Sequence, residues 1–590
     1  MLTLNKLYAK GMRSLAEIDL PLRNFTIFIG KNNAGKTNTL LAIKLLLEAS
    51  ARDVSEEDFY KTDTERADTI ELRGEFSVPE EYLSLCDEKH KGKIQNCIVD
   101  NVLTVRRIIS KGEGGKIKVN SIELWQPDKG EFGTPTGIDA GIKQLLPEVI
   151  FIEAFKDPTE ESQGKSTAAL GKILKQIVEQ VEDKINDDVM VAIALAEKNF
   201  NWMEQDGVMV DNRPDELRKI ENQIKSHIQE LFFGSDVRLK FNLPKVSDLI
   251  STATIELKDR GPWTSPDGKG QGFQRVLYVA LLQTLADALR DETAAINRPF
   301  ILLYEEPEAF LHPALQREVG NIIENISTTN QVVIASHSPL LVTPSRMDNI
   351  IILRQELPPN PHKTNFFIPD DSLADHDDDK HLISLLKLNN SSEFLFSDFI
   401  LVVEGVSDRY LLESCWGGVR EKIDKKFESI SIIESGSKDI VPLWIEYLKK
   451  MKFPTKGVVD LDFLWNGSGR VLKNDDVSKF CEKFWKFADE SNLCEVADDG
   501  KKILKKGSKD NAFALVVGEN CDKELNELGK KISEELLKHD IWVLRKGEIE
   551  YYFGLSLTSK GKYVTAGQKI RKGEIEIPSE MQELLTWLFT

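Results

Sequence analysis

Cysteine is scarce in this chain of 590 residues. There are six, Cys86, Cys97, Cys415, Cys481, Cys494 and Cys521, scattered without CxxC spacing. A disulfide scaffold and a structural zinc site are therefore not expected, and a reducing cytoplasm is the default setting. Uncharged apolar runs of about 18 residues are also missing, so no membrane span is expected. The N-terminal MLTLNKLYAKGM places two lysines among alternating apolar residues, which predicts a strand and not a secretory leader. Basic charge is short as well: 77 Lys and Arg stand against 96 Asp and Glu, a net charge of −19. Such a chain has no general attraction for nucleic acid, and any such contact must come from local patches. A nuclease is not excluded, because carboxylates gathered to hold divalent metal make such an enzyme acidic on average.

What is present is length and pattern. The length predicts three or four structural units. Residues 1–164 show strand-like alternation around a glycine loop, as in TIELRGEF (69–76) and VLTVRRIIS (102–110). Residues 165–238 repeat apolar positions every three or four residues and predict a helical insertion. Strand and phosphate-site patterns return over 239–356. The stretch 357–394, Pro-rich and then acidic, reads as a linker. A second α/β pattern runs over 395–555, with a C-terminal extension over 556–590.

The first site begins after the apolar run Phe25 to Ile29. Gly30-Lys-Asn-Asn33-Ala-Gly35-Lys36-Thr37 follows, then an apolar helix pattern. This is GxxxxGK[ST] in strand–loop–helix context. Gly30, Asn33 and Gly35 shape a loop whose amides face a phosphate chain, at the positive end of a helix. Lys36 would neutralise the β/γ-phosphates of ATP, and Thr37 would ligate Mg²⁺. A second buried strand, FILLY (300–304), delivers Glu305 and Glu306 at its end. Glu305 suits the magnesium ion and Glu306 the attacking water. A third, QVVIAS, ends at His337, where an imidazole could reach the γ-phosphate. Gly270 and Gly272 open another helix, a further anion-binding start.

The second site is made of acids. FILVVEGVSD (399–408) is a buried-strand run ending in Glu404, with Asp408 four residues on. KGVVDLDF (456–463) ends in Asp460 and Asp462, which alternation along a strand would turn to one face. Carboxylates converging at the C-terminal edge of a parallel sheet repel one another unless divalent metal, Mg²⁺ or Mn²⁺, lies among them. Two such ions could activate water and stabilise the leaving oxygen of a phosphodiester. The lysine runs KKILKKGSK (501–509) and KKMKF (449–453) offer local attraction for DNA phosphates.

The first set of motifs resembles the ABC-type ATPase heads of the structural-maintenance and recombination-repair group. In that pattern Gly268 to Arg275 is the signature stretch, LLYEEPEAFLHP is the Walker B motif and D-loop, and His337 is the switch histidine. The resemblance implies a homo-dimer or higher homo-oligomer through the heads and the helical insertion. The sequence departs from the pattern in having Glu305 where aspartate is usual and GQGFQR in place of LSGGQ. Gln163 is a candidate for the Q-loop glutamine, and long coiled-coil arms are missing. The second set resembles the Toprim domain, with Glu404 as metal ligand and general acid/base, Asp460 and Asp462 as metal ligands, and IIESGSKDI (432–440) as the intervening turn. Together they resemble the OLD (overcoming lysogenization defect) nucleases, including Gabija-type and retron-associated relatives. The fold expected is α/β: an ABC-type head with a helical insertion, then a Rossmann-like Toprim domain.

That resemblance implies Asp408 as a further acid, Glu548 and Glu550 as ligands of a second metal, and a C-terminal lysine among Lys560, Lys562, Lys569 and Lys572. It implies cleavage of double-stranded DNA, regulation by ATP (restraint, in Gabija-like members) and a role in bacterial defence against phage. Members work with a helicase subunit, with a retron reverse transcriptase and its nucleic acid, or alone. Two rivals remain: a DNA-repair ATPase whose Toprim fold is a non-cleaving scaffold, and a topoisomerase- or primase-like enzyme. The second lacks a winged-helix tyrosine region for strand passage.

Overall fold

A computed structural model describes residues 1–112, 114, 116–134, 138–154, 200–205, 208–211, 213–241, 253–289, 298–356, 363–369, 392–419, 429–497, 500–518, 521–555 and 562–589. Gln163, Lys560 and the first helical stretch of the insertion lie outside them, as does most of the 357–394 segment. The chain divides into two compact units, Met1–Ile368 and Pro369–Thr590.

In the first unit an antiparallel sheet carries β1 (Thr3–Met12), β2 (Leu15–Pro21), β4 (Thr69–Ser77), β5 (Val102–Lys111), β6 (Glu123–Gln126) and β7 (Glu131–Gly133). Their order is β2-β1-β4-β5-β6-β7, with short strands Ile98–Val99 and Ile117–Val119 also pairing with β5. Burial alternates along these strands, so one face is core and the other polar. A second sheet carries β3 (Phe25–Ile29), β8 (Glu148–Ile152), β11 (Phe300–Glu305), β12 (Gln331–Ser336), β13 (Ile350–Gln355) and β14 (Thr364–Phe367). It runs β8-β11-β12-β3-β13-β14, parallel except for the last pair. Every residue of β3, β11 and β12 is buried, which accounts for their predominantly apolar sequences.

Helix α1 (Lys36–Leu47) contacts strands of both sheets, and its leucines join one core cluster with Leu4, Phe76 and Val333. Gly74 permits that approach: a Cβ there would meet Leu46 at 2.7 Å and Leu4 at 2.8 Å. The described part of the insertion holds α2 (Asp215–Leu231), as the periodicity predicts. It also holds a strand pair that the helical reading did not include, Met203–Gln205 with Val208–Val210, too few residues to stand out in a helical window. β9 (Ser235–Phe241) starts at the end of the insertion and pairs with β10 (Ala253–Asp259), where the strand pattern returns. Helices α3 (Gln271–Leu289) and α4 (Pro313–Ile326) complete the set used below.

The second unit is built on a four-stranded parallel sheet of β15 (Phe399–Val403), β16 (Ile430–Glu434), β17 (Thr455–Val459) and β20 (Ile541–Val543), in the order β16-β15-β17-β20. Helices α5 (Val406–Val419) and α6 (Val441–Lys450) follow the first two strands. Between β17 and β20 lie α7 (Asp475–Glu490), a hairpin of β18 (Cys494–Val496) and β19 (Lys502–Leu504), α8 (Lys509–Val517) and α9 (Lys523–Leu537). Helices α10 (Lys562–Arg571) and α11 (Ser579–Phe589) end the chain and pack on α5. Among the described residues, no helix is long and apolar enough to cross a membrane.

Candidate active site

Adjacent strands bring the first site together. β3 lies beside β12, and β12 beside β11, so the loops at their C-terminal ends are neighbours. Gly30 (φ 147°) and Gly35 (φ 101°) take backbone conformations that favour glycine, and Asn33 (φ 64°) sits in the left-handed region that Asn tolerates. A Cβ on Gly30 would meet the Leu353 carbonyl oxygen at 2.2 Å, so the loop is pinned against β13. Lys36 is buried and donates to the carbonyls of Gly30 (3.0 Å) and Lys31 (2.8 Å). Burial pushes its ammonium down to about 8, against the opposing pull of Glu306, Glu308 and Glu305. Thr37 is exposed at the start of α1.

Glu305 ends β11, buried, with one carboxylate oxygen accepting from Ala154 N at 3.3 Å and the other unpartnered. Glu306 turns out of the strand at φ 46° and lies 4.0 Å from His337 Nε2. His337 follows β12, its backbone N donating to Glu308 Oε1 at 2.6 Å. Burial, and then the nearby Lys36, push its imidazole down to about 4. Glu308, which sequence reasoning left without a role, is buried and holds its proton above the usual carboxylate range for the same reason of burial. Gly272 lies within α3, where a Cβ would meet the Phe310 carbonyl oxygen at 2.9 Å; a Cβ on Gly270 would meet open space.

In the second unit, Glu404 follows the last residue of β15 and accepts a hydrogen bond from Asp460 N at 2.8 Å. Glu404, Asp460 and Asp462 each offer an oxygen within 4.8 Å of the others. The way Asp460 and Asp462 reach this place differs from the alternation expected along a strand. β17 ends at Val459; Asp460 precedes a 3-10 turn over Leu461–Leu464, and Asp462 lies inside it. The chain bends there because Leu461 N leaves the sheet ladder to bond Gly547 O at 3.0 Å. That bond ties the Asp460–Asp462 turn to the loop carrying Glu548 and Glu550.

Asp408 accepts from Gly405 N at 2.9 Å, capping the start of α5. Burial pushes its carboxyl up to about 8, and the charges of Glu404, Glu550 and Glu548 add to the rise. Burial likewise raises Glu404 to about 7, with Asp462 adding to it and the Asp460 amide opposing. Asp460 is raised well above the carboxylate range, by burial and then by Glu404 and Asp408. Glu548 precedes the 3-10 turn Ile549–Phe553 that contains Glu550. The turn is held from behind: Tyr552 donates to Glu580 at 2.6 Å, and Glu580 also accepts from Arg545 N at 2.8 Å.

Two ammonium groups enter this acid cluster. Lys438 Nζ lies 2.5 Å from Asp462 Oδ2. Lys509 Nζ lies 3.2 Å from Asp462 Oδ2 and 3.8 Å from Asp460 Oδ2, and is bonded to Glu548. Both belong to stretches singled out in the sequence, one as a glycine turn and one as a basic run; neither spacing marks them as partners of the acids. Lys562 and Lys569 lie on α10, and Lys572 follows it. Other lysines of the basic runs meet the chain's own groups: Lys449 pairs with Asp540, Lys450 with Glu446 and Lys502 with Asp489. Buried Asp462 Oδ1 has no hydrogen-bond partner, so this all-oxygen donor set keeps a free lone pair that fits a hard divalent cation.

Comparison with known proteins matches both parts of the chain. Residues 3–342 match the AAA ATPase domain family, and residues 395–462 match the overcoming lysogenization defect protein-like TOPRIM domain. The Old nuclease of Escherichia phage P2 is 26% identical over 602 residues, covering 98% of each chain. The endonuclease GajA of Bacillus cereus (strain VD045) is 23% identical over 442 residues, covering 71% of this chain and 68% of that one. Among solved structures, an Smc head domain with an extended coiled coil, bound to the C-terminal domain of ScpA from Pyrococcus furiosus, aligns with a TM-score of 0.41. It is 14% identical and covers 66% of this chain and 100% of that one. The chain belongs to the AAA ATPase domain family, and a match to the OLD-like TOPRIM domain follows in its second half.

Proposed function

We propose that this protein is an ATP-binding, divalent-metal-dependent DNA endonuclease. The observation that carries the reading is the meeting of Glu404, Asp460 and Asp462 oxygens within 4.8 Å of one another. The names of the relatives, Old nuclease and endonuclease GajA, support it. Glu404, Asp460 and Asp462 would hold one ion, with Asp408, Glu548 and Glu550 available to a second. When bound, Mg²⁺ or Mn²⁺ supplies acidity to a water molecule and positive charge to offset the phosphodiester oxygens.

The chain's own part is to position and to move protons. Glu404 would serve as metal ligand and general acid/base: burial raises its carboxyl, and a divalent cation beside it would favour the charged form. The amide of Asp460 fixes one Glu404 oxygen, and Lys438 orients Asp462. In the first unit, Lys36, Thr37, Glu305, Glu306 and His337 would hold ATP and its magnesium. Gly270 and Gly272 would complete the nucleotide site of a second copy in a head-to-head dimer. We further propose that nucleotide occupancy regulates DNA cleavage, and that the protein acts in the bacterial cytoplasm as an anti-phage effector. The role in defence is supported by the OLD architecture.

Supercoiled plasmid incubated with the protein and Mg²⁺ or Mn²⁺ tests the activity. Nicked or linear product that disappears in Glu404→Ala is the expected result. An intact plasmid would favour a non-cleaving scaffold, and a ladder of relaxed topoisomers a topoisomerase. Phage plaque counts on cells carrying wild-type or Glu404→Ala protein test the defence role.

A further inference from the structure

Lys509 is the first residue of α8, a position that the helix dipole disfavours for a cation. Its helix therefore gives it no electrostatic reason to be there, and its partners lie elsewhere. The ammonium meets three carboxylates from two separate turns: Asp460 and Asp462 after β17, and Glu548 after β20. Those turns bear the acids read above as ligands of divalent metal. The ammonium also lies over the ring of Phe513, one helical turn on, 5.6 Å from its centroid.

We propose that Lys509 is the counter-ion of the metal site: its ammonium occupies the oxygens of Asp460, Asp462 and Glu548 until a divalent ion arrives, and competes with that ion for them. The inference rests on the proposed metal site and adds to it a built-in counter-ion. Lysine suits the task better than arginine, because a point charge on a flexible stem can be displaced without breaking a fixed fork of hydrogen bonds. The same contacts allow a different account, in which Lys509 is a fastener whose loss lets the two turns drift apart. The two accounts predict opposite signs for metal affinity. A competing positive charge within about 4 Å weakens cation binding, so its removal tightens it. A lost fastener loosens it.

The test is calorimetric titration of Mn²⁺ into the full-length protein without DNA, comparing wild type with Lys509→Met and Lys509→Arg. Lys509→Met is expected to bind Mn²⁺ about tenfold more tightly, and Lys509→Arg, which keeps the charge, to stay near wild type. Unchanged or weaker binding in a folded Lys509→Met overturns the proposal. If that variant does not fold, Lys509→Gln removes the same charge and is judged by the same criterion. Glu404→Ala separates this inference from the reading beneath it. Mn²⁺ affinity undiminished in Glu404→Ala would remove the metal site itself, whereas a flat Lys509 series with a sensitive Glu404 removes only the counter-ion.

Discussion

Each unit of this molecule gathers ionisable groups at the C-terminal edge of a parallel sheet, a mixed set of Lys36, His337 and three glutamates in one and a mainly acidic set in the other. In the first unit burial works against both signs: Lys36 is pushed down to about 8 and His337 to about 4, while the Glu308 carboxyl is pushed up. In the second it works against anions: Glu404 rises to about 7 and Asp408 to about 8. Desolvation is the common cause, and it disfavours whichever charge the site has collected. A phosphate chain with its magnesium would relieve the first edge, and divalent cations alone the second. Equivalent places in two sheets acquire different chemistry because one loop presents amides and a lysine while the other turns present carboxylates.

The sharpest way to break this comparison is to remove the acids. Glu404→Ala is expected to lower plasmid cleavage by about a thousandfold while ATP binding in the first unit persists; parallel cleavage and nucleotide-binding assays decide it. Loss of both activities would mean that the two edges are not separate sites. The mirror experiment is Lys36→Ala. It deletes a buried, charge-assisted contact, so ATP affinity measured by a fluorescent analogue is expected to fall about a hundredfold, with the circular dichroism spectrum unchanged.

A third measurement sharpens the contrast through pH. In the unfolded chain the carboxyls of Glu404 and Asp408 release their protons near pH 4, whereas in the folded chain they hold them to about 7 and about 8. Between those limits the native state binds more protons than the unfolded state, so stability falls as pH rises. Below pH 4 both states are protonated and the contribution is complete; above about pH 8 it is gone. Thermal melts in chelator are therefore expected to show a declining transition temperature from pH 5 to pH 8. Added Mg²⁺ is expected to raise the transition more at pH 8 than at pH 5, and an equal rise at both would contradict the assignment. The smallest effect concerns the support behind Glu548 and Glu550. Tyr552→Phe removes the donor to buried Glu580 and is expected to cost about 1–2 kcal/mol in urea unfolding, with weaker effects on cleavage than Glu404→Ala.

Much of this was legible in the sequence, because it depends on local chemistry. Unbroken apolar runs such as FILLY and FILVV predict strands buried on both faces, and those strands lie at the centres of their sheets. The glycines of the phosphate loop are required by backbone angles that other residues adopt only with strain. Two things escaped. The short strand pair Met203–Gln205 and Val208–Val210 within the helical insertion leaves too weak a pattern in so few residues. The Asp460–Asp462 pair was assigned the right neighbours through the wrong geometry, since a strand's alternation says nothing about where the strand stops.

The sequence by itself determined which residues end buried strands, where phosphate could be wrapped, and that acids would collect at one edge of a second sheet. Each of these follows from a side chain's own solubility and backbone preference. Only the tertiary structure decided which cations face those acids. Lys438 and Lys509 come from turns separated in the chain, and their meeting at Asp462 depends on the order β16-β15-β17-β20 and on how α8 is laid between β17 and β20. Coulomb interaction is set by distance in space, and no local preference encodes it.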